Sequence, residues 1–378
     1  MSKSILFVIT DASSAMMHRK ELINESLENN FEVSVIFLEN NTNADLSQLK
    51  KQGVNFYDFK LKRENLGFFS IINFIFKFIS IVKRGGYSIV HSFGIYNFIT
   101  CSVSLLLFKG PKLVSTIAGR GSFFINKNYF ISRNILRLIF KFFLTKMKDL
   151  NMIFHNQSDL DFLVSNPSLE KYQLIRGSGV DINLYRPSSK SEDDIIQVAY
   201  IGRFISDKGV HDFLAVAKKI TKTKPNVIFN LIGFIDNGNP SSLKPEDIKK
   251  LSKYKNINLY YVDQNDMPNQ YNKIHIVCLP SKHEGLPRVL IEAGASGIAC
   301  IASDVPGCNE VIVDGLNGYL FQYGDRKKFE DLLLTLIDSN NLRIQFGKKA
   351  RELVINNFEI SQILKQHMNL YRKIINEQ

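Results

Sequence analysis

The chain has 378 residues, more than one ordinary core holds, and suits two domains of roughly 150–200 residues each. A hydrophobic content of 45% and a charged content of 22% are those of a globular protein and argue against a disordered or fibrous one. The net charge of +12 is uneven: residues 61–150 hold 14 Lys and Arg against only Glu64 and Asp149, a field that draws an anionic partner such as nucleic acid or an anionic membrane surface.

The first apolar run, Ile5–Ile9, is too short for a secretion signal and reads as a strand, which places the chain in the cytoplasm. Thr10 to Arg19 follow, with small residues and then His18 and Arg19 entering a helix. Val33–Phe37 is the next strand. Leu66–Val82 is very apolar, but Lys77 interrupts it and it falls short of the about 20 residues that a spanning helix needs. Strands are expected at Ser88–His91, Lys112–Ile117 and Met152–His155. Between the last two, Tyr129–Lys148 sets Ile131, Ile135, Leu138, Phe142 and Leu144 among Arg133, Arg137, Lys141, Lys146 and Lys148. That pattern fits a helix lying in a membrane interface and equally a core helix with a solvated basic face. The polar stretch 186–194, with Pro187 and no apolar period, reads as a linker. The alternation then restarts with strands at Gln197–Ile201, Val227–Ile232, Asn258–Val262 and His275–Leu279, and a last helix covers Ile360–Asn376. Strands separated by helices of ten to twenty residues predict an α/β chain with parallel, doubly wound sheets. The expected domains are 1–186, 195–358, and a helix within 359–378 that crosses back to the first domain. Cys101, Cys278, Cys300 and Cys308 show no Cys-x-x-Cys pair and no histidine at zinc spacing, so they read as buried thiols in a reducing compartment.

The strongest chemical signal is the segment Ser281 to Ala293, directly after an apolar strand. Glu284 sits in the loop and Glu292 on the following helix, whose first turn suits Pro287. At 1.5 Å rise per residue, the helix entrance and Glu292 lie about 8–9 Å apart, roughly the reach from a sugar ring across a diphosphate to a ribose. Backbone N–H groups around Gly285, Leu286, Pro287 and Arg288 would face that diphosphate, since helix N-termini favour anions. Each glutamate would accept hydrogen bonds from hydroxyls, one from a hexose and one from the ribose. The second signal is Val198 to Val210, where a strand ends at Gly202 and a helix begins near Lys208. Arg203 and Lys208 would set two cations beyond the strand ends, where open α/β sheets bind ligands, to neutralise a departing nucleoside diphosphate.

Together these segments resemble the retaining glycosyltransferases of family 4, with the GT-B fold of two Rossmann-like domains facing across a cleft. The matching residues are Gly202-Arg203 with Lys208-Gly209, and Glu284 with Glu292. Val305 to Glu310, Asp314 to Leu320, Gly177 to Asp181, Tyr185 to Pro187 and Ser115 to Gly121 also match. The resemblance implies a nucleotide sugar, often UDP-linked, in the second domain, with Arg203 and Lys208 on its diphosphate, Glu284 on the sugar and Glu292 on the ribose. It implies transfer with retained configuration, no bound metal and no cofactor. The base would lie along residues 258–268, with Val262 and Asp263. Gly119, Arg120 and Gly121 would border the acceptor in the first domain, with His18 on the same side. Two departures stand out. Small residues replace the glycine-rich loop after the first strand, as in a branch that builds bacterial surface polysaccharides on lipid carriers. Of a usual histidine pair only His91 is present, with Phe93 in the second place; it either approaches the sugar's phosphate or a hydroxyl, or is a structural histidine.

The expected activity is therefore transfer of a hexose or N-acetylhexosamine to a lipid-linked or oligosaccharide acceptor, by a protein peripheral to the inner face of a membrane. A nucleotide-sugar epimerase or a glycan phosphorylase shares the fold, but the first would need acid and base carboxylates from both domains and the second a cofactor lysine and a longer chain. A dinucleotide-binding oxidoreductase needs Gly-x-Gly-x-x-Gly after its first strand, and none is present. A nucleic-acid-binding protein would account for the charge but not for the paired glutamates, and no reader motif accompanies the basic residues, so nucleic acid is not the expected partner.

Overall fold

The computed structural model describes residues 3–39, 44–59, 68–119, 129–164, 171–188, 195–236 and 239–376, with the side chains of 68–70, 129–133 and 264 left out. Two compact units divide them, Met1–Ser178 with Ser361–Gln378, and Gly179–Ile360.

The first unit is built on a parallel sheet of β1 (Ser4–Ile9), β2 (Glu32–Phe37), β3 (Asn55–Asp58), β4 (Ile89–Phe93), β5 (Lys112–Ile117), β6 (Leu150–Phe154) and β7 (Tyr172–Leu174), in the order β3-β2-β1-β4-β5-β6-β7. A parallel sheet carries helices on both faces, so its central strands bury every residue, and all six residues of β1 are buried. Alternate side chains feed different layers. Leu6 and Val8 join the cluster containing Phe74, Phe98 and Phe140, while Ile5, Phe7 and Ile9 join the one containing Leu22 and Ile23. The helix Ile360–Asn376 completes that second layer. Ile363, Met368, Leu370, Tyr371 and Ile374 lie on its buried side.

The second unit holds β8 (Ile196–Arg203), β9 (Val227–Phe234), β10 (Ile257–Tyr260), β11 (Ile276–Leu279), β12 (Ala299–Ser303) and β13 (Gly318–Phe321), parallel, in the order β10-β9-β8-β11-β12-β13. Val198 and Tyr200 face one layer and Ala199 the other; Ile276 and Cys278 alternate with Val277 and Leu279 in the same way.

The division falls earlier than the expected linker. Val180 and Tyr185 pack in the second unit's core, and Val180 exchanges backbone hydrogen bonds with Phe358 and Ile360. Arg351 donates to the carbonyls of Tyr185, Ile182 and Ala295, which ties the same segment down. Residues 189–194 lie outside the described residues. The four cysteines are free and buried. Leu66–Val82 falls largely in the helix Phe68–Gly85, where Phe74, Phe78 and Val82 are buried in the core. Among the described residues no helix is long and apolar enough to cross a membrane.

Candidate active site

In the second sheet the chain turns back between β8 and β11, which lie side by side although two strands separate them in sequence. Beyond the carboxyl ends of such a pair an open α/β sheet leaves a crevice. β8 ends at Arg203, and the Tyr200 hydroxyl donates to the Arg203 carbonyl at 2.6 Å. A tight turn, Ser206–Lys208, precedes the helix Val210–Ile220. Gly209 joins the two at φ +75°, and a Cβ there would stand 2.0 Å from the Pro280 carbonyl oxygen. Only glycine permits both that dihedral and that approach. The backbone N–H of Lys282 donates to the Asp207 carbonyl at 2.9 Å, which fastens the turn to the segment leaving β11. The consequence is a side-chain pair from positions far apart in sequence: Lys208 Nζ lies 2.6 Å from Glu284 Oε2, with the two side chains 27% and 8% exposed. A pair so desolvated cannot lose one member without stranding the other's charge.

Pro287 stands at the N-cap of the helix Arg288–Ala295 rather than inside its first turn, and no side chain caps that end. One turn in, Glu292 is 8% exposed and fully engaged. Arg288 Nε donates to its Oε1 at 2.6 Å, and the Tyr271 hydroxyl donates to its Oε2 at 3.0 Å. Burial pushes the Tyr271 hydroxyl well above its ordinary range and the Glu292 charge adds to this, so it stays a donor. Tyr185 is raised in the same manner, by burial first and then by Glu292. Gly307, in the loop after β12, lies so near the Glu284–Gly285 backbone that a Cβ would be 2.4 Å from the Gly285 carbonyl oxygen. The segment Val305 to Glu310 thus backs the loop that carries Glu284. Leu286 packs, partly buried, against the core beneath.

Arg203 pairs with Asp236 at 2.9 Å rather than with a glutamate of the Ser281–Ala293 segment, and its side chain is 46% exposed. Burial raises the Tyr200 hydroxyl first, then the Glu284 charge, with the Arg203 charge opposing. Val262 and Asp263 lie in the loop after β10, which ends at Tyr260, two residues before the expected end of that strand. The Asp263 carboxylate accepts from the backbone N–H of Asn265 at 2.8 Å. β9 stands between β10 and β8. His283 has its pKa lowered by burial, and its Nδ1 is buried without a partner. Tyr271, Asp236 and Asp207 did not emerge from sequence reasoning, and Tyr185 emerged only as part of a matching segment, with no role at the site. Each lies outside the two motifs or, for Asp207, acts through its backbone.

In the first unit, His91 is fully buried in β4. Its Nδ1 meets the Tyr371 hydroxyl at 2.5 Å and its Nε2 the Thr116 hydroxyl at 2.7 Å. Both ring nitrogens are used, an arrangement that fits the structural alternative of the two readings, and His91 links two strands to the returning helix. His18 is exposed at the end of the helix Ala12–His18, and Gly119 follows β5 at φ +146°. Arg120 and Gly121 lie outside the described residues. Among the described residues no three His, Cys, Asp or Glu side chains group as metal ligands.

Residues 181–353 match the family described as glycosyl transferases group 1. The chain is 28% identical over 55% of its length to the capsular polysaccharide biosynthesis glycosyltransferase CapM of Staphylococcus aureus, and the match spans 53%, about half, of that relative. It is 24% identical over 77% of its length, and 76% of the relative's, to the UDP-Gal:alpha-D-GlcNAc-diphosphoundecaprenol alpha-1,3-galactosyltransferase of Escherichia coli. Among solved structures, sucrose-phosphate synthase of Thermosynechococcus elongatus superposes with a TM-score of 0.80 at 18% identity, covering 100% of both chains. Two parallel α/β units, the Arg203–Lys208 and Glu284–Glu292 segments meeting at one switch point, and these matches agree: the chain has the GT-B fold, and residues 181–353, less than half of it, match the group 1 glycosyltransferases.

Proposed function

We propose that the chain moves a hexose or N-acetylhexosamine from a UDP-linked sugar to a lipid-linked glycan, with retention, in the synthesis of a surface polysaccharide, working from the inner face of a membrane. One observation carries the reading. Two cation–carboxylate pairs, Lys208–Glu284 and Arg288–Glu292, flank the uncapped start of the helix Arg288–Ala295 at the switch point of the second sheet. The spacing suits a nucleotide sugar laid along that helix start. Lys208 and Arg203 would hold the diphosphate oxygens, with backbone N–H groups near Gly285–Arg288 between them. Glu284 would accept from a sugar hydroxyl. Glu292, held by Arg288 and Tyr271, would accept from the ribose.

In the reaction so arranged, the bond from the anomeric carbon to the phosphate oxygen breaks while the acceptor oxygen attacks the same face. The acceptor proton passes to the departing diphosphate, and Lys208 and Arg203 stabilise the charge that remains. No protein nucleophile is required. The relatives support the choice of acceptor and donor, since one is by name a UDP-galactose enzyme acting on a diphosphoundecaprenol-linked sugar. The pyrophosphate-linked UDP sugars are α-linked at the anomeric carbon, so an α-product from such a donor is retention.

Thermal unfolding of the protein with UDP-, GDP-, ADP- and dTDP-sugars tests the reading. A ligand near 100 times its dissociation constant adds about 2.7 kcal/mol of stability. The expected result is a rise in Tm with UDP-sugars that Glu292→Ala abolishes. A rise with none of them, with and without membrane lipid extract, would reject the site.

A further inference from the structure

A helix that packs one apolar side into a core ordinarily turns a polar side to water. The helix Tyr129–Lys146 turns large apolar side chains to water beside its polar ones. Leu136, Phe140, Phe143 and Leu144 are buried in the first unit's core, yet Ile135, Leu138 and Phe142 are 52%, 66% and 50% exposed. Those three are spaced three and four residues apart and form one outward stripe. They border an apolar groove of about 390 Å³ lined by Ile99, Ile135, Leu138, Ile139, Phe142 and Phe143. Ile99 belongs to the helix Ile95–Leu107, where Leu106, two turns on, lies on the same side and is exposed with Leu107 beside it. Contiguous apolar surface of this kind on a soluble unit marks a contact site.

The charges around it select the partner. Lys141, three residues after Leu138, and Lys146, four after Phe142, flank the stripe, and both are exposed. Residues 61–150 carry 14 basic residues and, apart from Glu64 and Asp149, no acidic ones. A second copy of the chain brought onto this face by two-fold symmetry would set lysines against lysines. A protein partner would have to match a groove with little relief beyond its six side chains. A sheet of anionic head groups over acyl chains satisfies both the cations and the apolar stripe without any shape match.

We propose that this face of the first unit seats in an anionic lipid bilayer. Ile135, Leu138, Phe142 and Leu107 enter the acyl boundary, an acyl chain occupies the groove, and Lys141 and Lys146 meet the phosphates. The inference deepens the reading of a membrane-held acceptor but stands on residues apart from the donor site.

Sedimentation of the whole chain with vesicles tests it. Binding is expected to vesicles containing phosphatidylglycerol, to weaken with salt, and to be at least tenfold poorer to phosphatidylcholine alone. Lys141→Ala with Lys146→Ala should lower partitioning about thirtyfold. Leu138→Gln with Phe142→Gln should lower it at least tenfold. Both double variants should keep the UDP-sugar rise in Tm, which reports the donor site separately. No binding to phosphatidylglycerol vesicles, or equal binding by the double variants, would overturn the proposal. So would a self-associated form in ultracentrifugation that the Leu138 and Phe142 substitutions dissociate. A lost Tm rise in the parent chain with vesicle binding intact would instead reject the donor site and leave this face standing.

Discussion

His91, His155 and His367 lie buried near one another and near the Arg19 guanidinium, which sits 4.1 Å above the Phe93 ring. Burial, and after it the like charges, hold His91 and His155 well below the ordinary histidine range and push His367 down to about 3. Arg19 itself is lowered to about 10 by burial. The folded pKa values lie below the unfolded ones, so between them the unfolded chain binds protons that the folded chain refuses. The stability is fully present above about pH 6.5 and drains away as pH falls toward the folded values, by about 1.4 kcal/mol per pH unit for each histidine. Calorimetry from pH 7 to pH 5 should therefore show the first unit losing stability, and His367→Phe, which keeps the ring, should flatten the slope by about a third. An unchanged slope in that variant would reject the assignment. The sequence left a structural His91 open as one of two readings, but the buried cluster around it was not legible. The partner that seals His91, Tyr371, comes from 280 residues away. Glu284, Glu292, Lys208 and Arg288 were legible, because each lies inside a short motif. Tyr271, which holds Glu292, and Asp236, which pairs with Arg203, were not, because they reach the site only through the folding of the sheet.

At the scale of elements, the close approach of the turn Ser206–Lys208 to the β11 exit depends on Gly209. Gly209→Ala would place a methyl group against the Pro280 carbonyl in a dihedral that costs about 1–2 kcal/mol for an ordinary residue. Gly315 has φ +73° with nothing within 4 Å of an added Cβ, so Gly315→Ala carries the dihedral cost alone. The expected outcome is a Tm loss of several degrees for Gly209→Ala, clearly larger than for Gly315→Ala, together with weakened UDP-sugar binding in the first variant only. Equal losses would show that the turn can move away without consequence. The buried central strands were legible as continuous apolar runs. β3 and β7 were not: one is a half-exposed edge and the other three residues long. β12, Ala-Cys-Ile-Ala-Ser, is made mostly of small residues without alternation, and β13 is four residues long and starts at a glycine. The outward stripe on the helix Tyr129–Lys146 was present in the apolar spacing, but which side faced water required the packing of Leu136 and Phe140.

At the scale of the whole molecule, two cores stand on two sheets, and nucleotide sugar is expected at only one of them. Tyr371→Ala removes a fully buried ring that contacts Phe31 and His91, and should cost the first unit about 3–5 kcal/mol. Calorimetry should resolve this as a lowered transition for that unit, while a UDP-sugar raises the other transition as it does in the parent chain. Loss of the UDP-sugar response in Tyr371→Ala would contradict this separation. The return of the helix Ile360–Asn376 to the first unit also sets an order on the ribosome. The second unit is one continuous stretch and can close as soon as it emerges. The unit encoded first lacks Ile363, Met368, Leu370, Tyr371 and Ile374 until the segment after Ile360 has been made. At about 5–20 residues per second, the nascent sheet waits on the order of ten to forty seconds with one apolar face uncovered. The half translated first is finished last, and a chaperone that shields that face has its work set by the distance between Ser178 and Ser361.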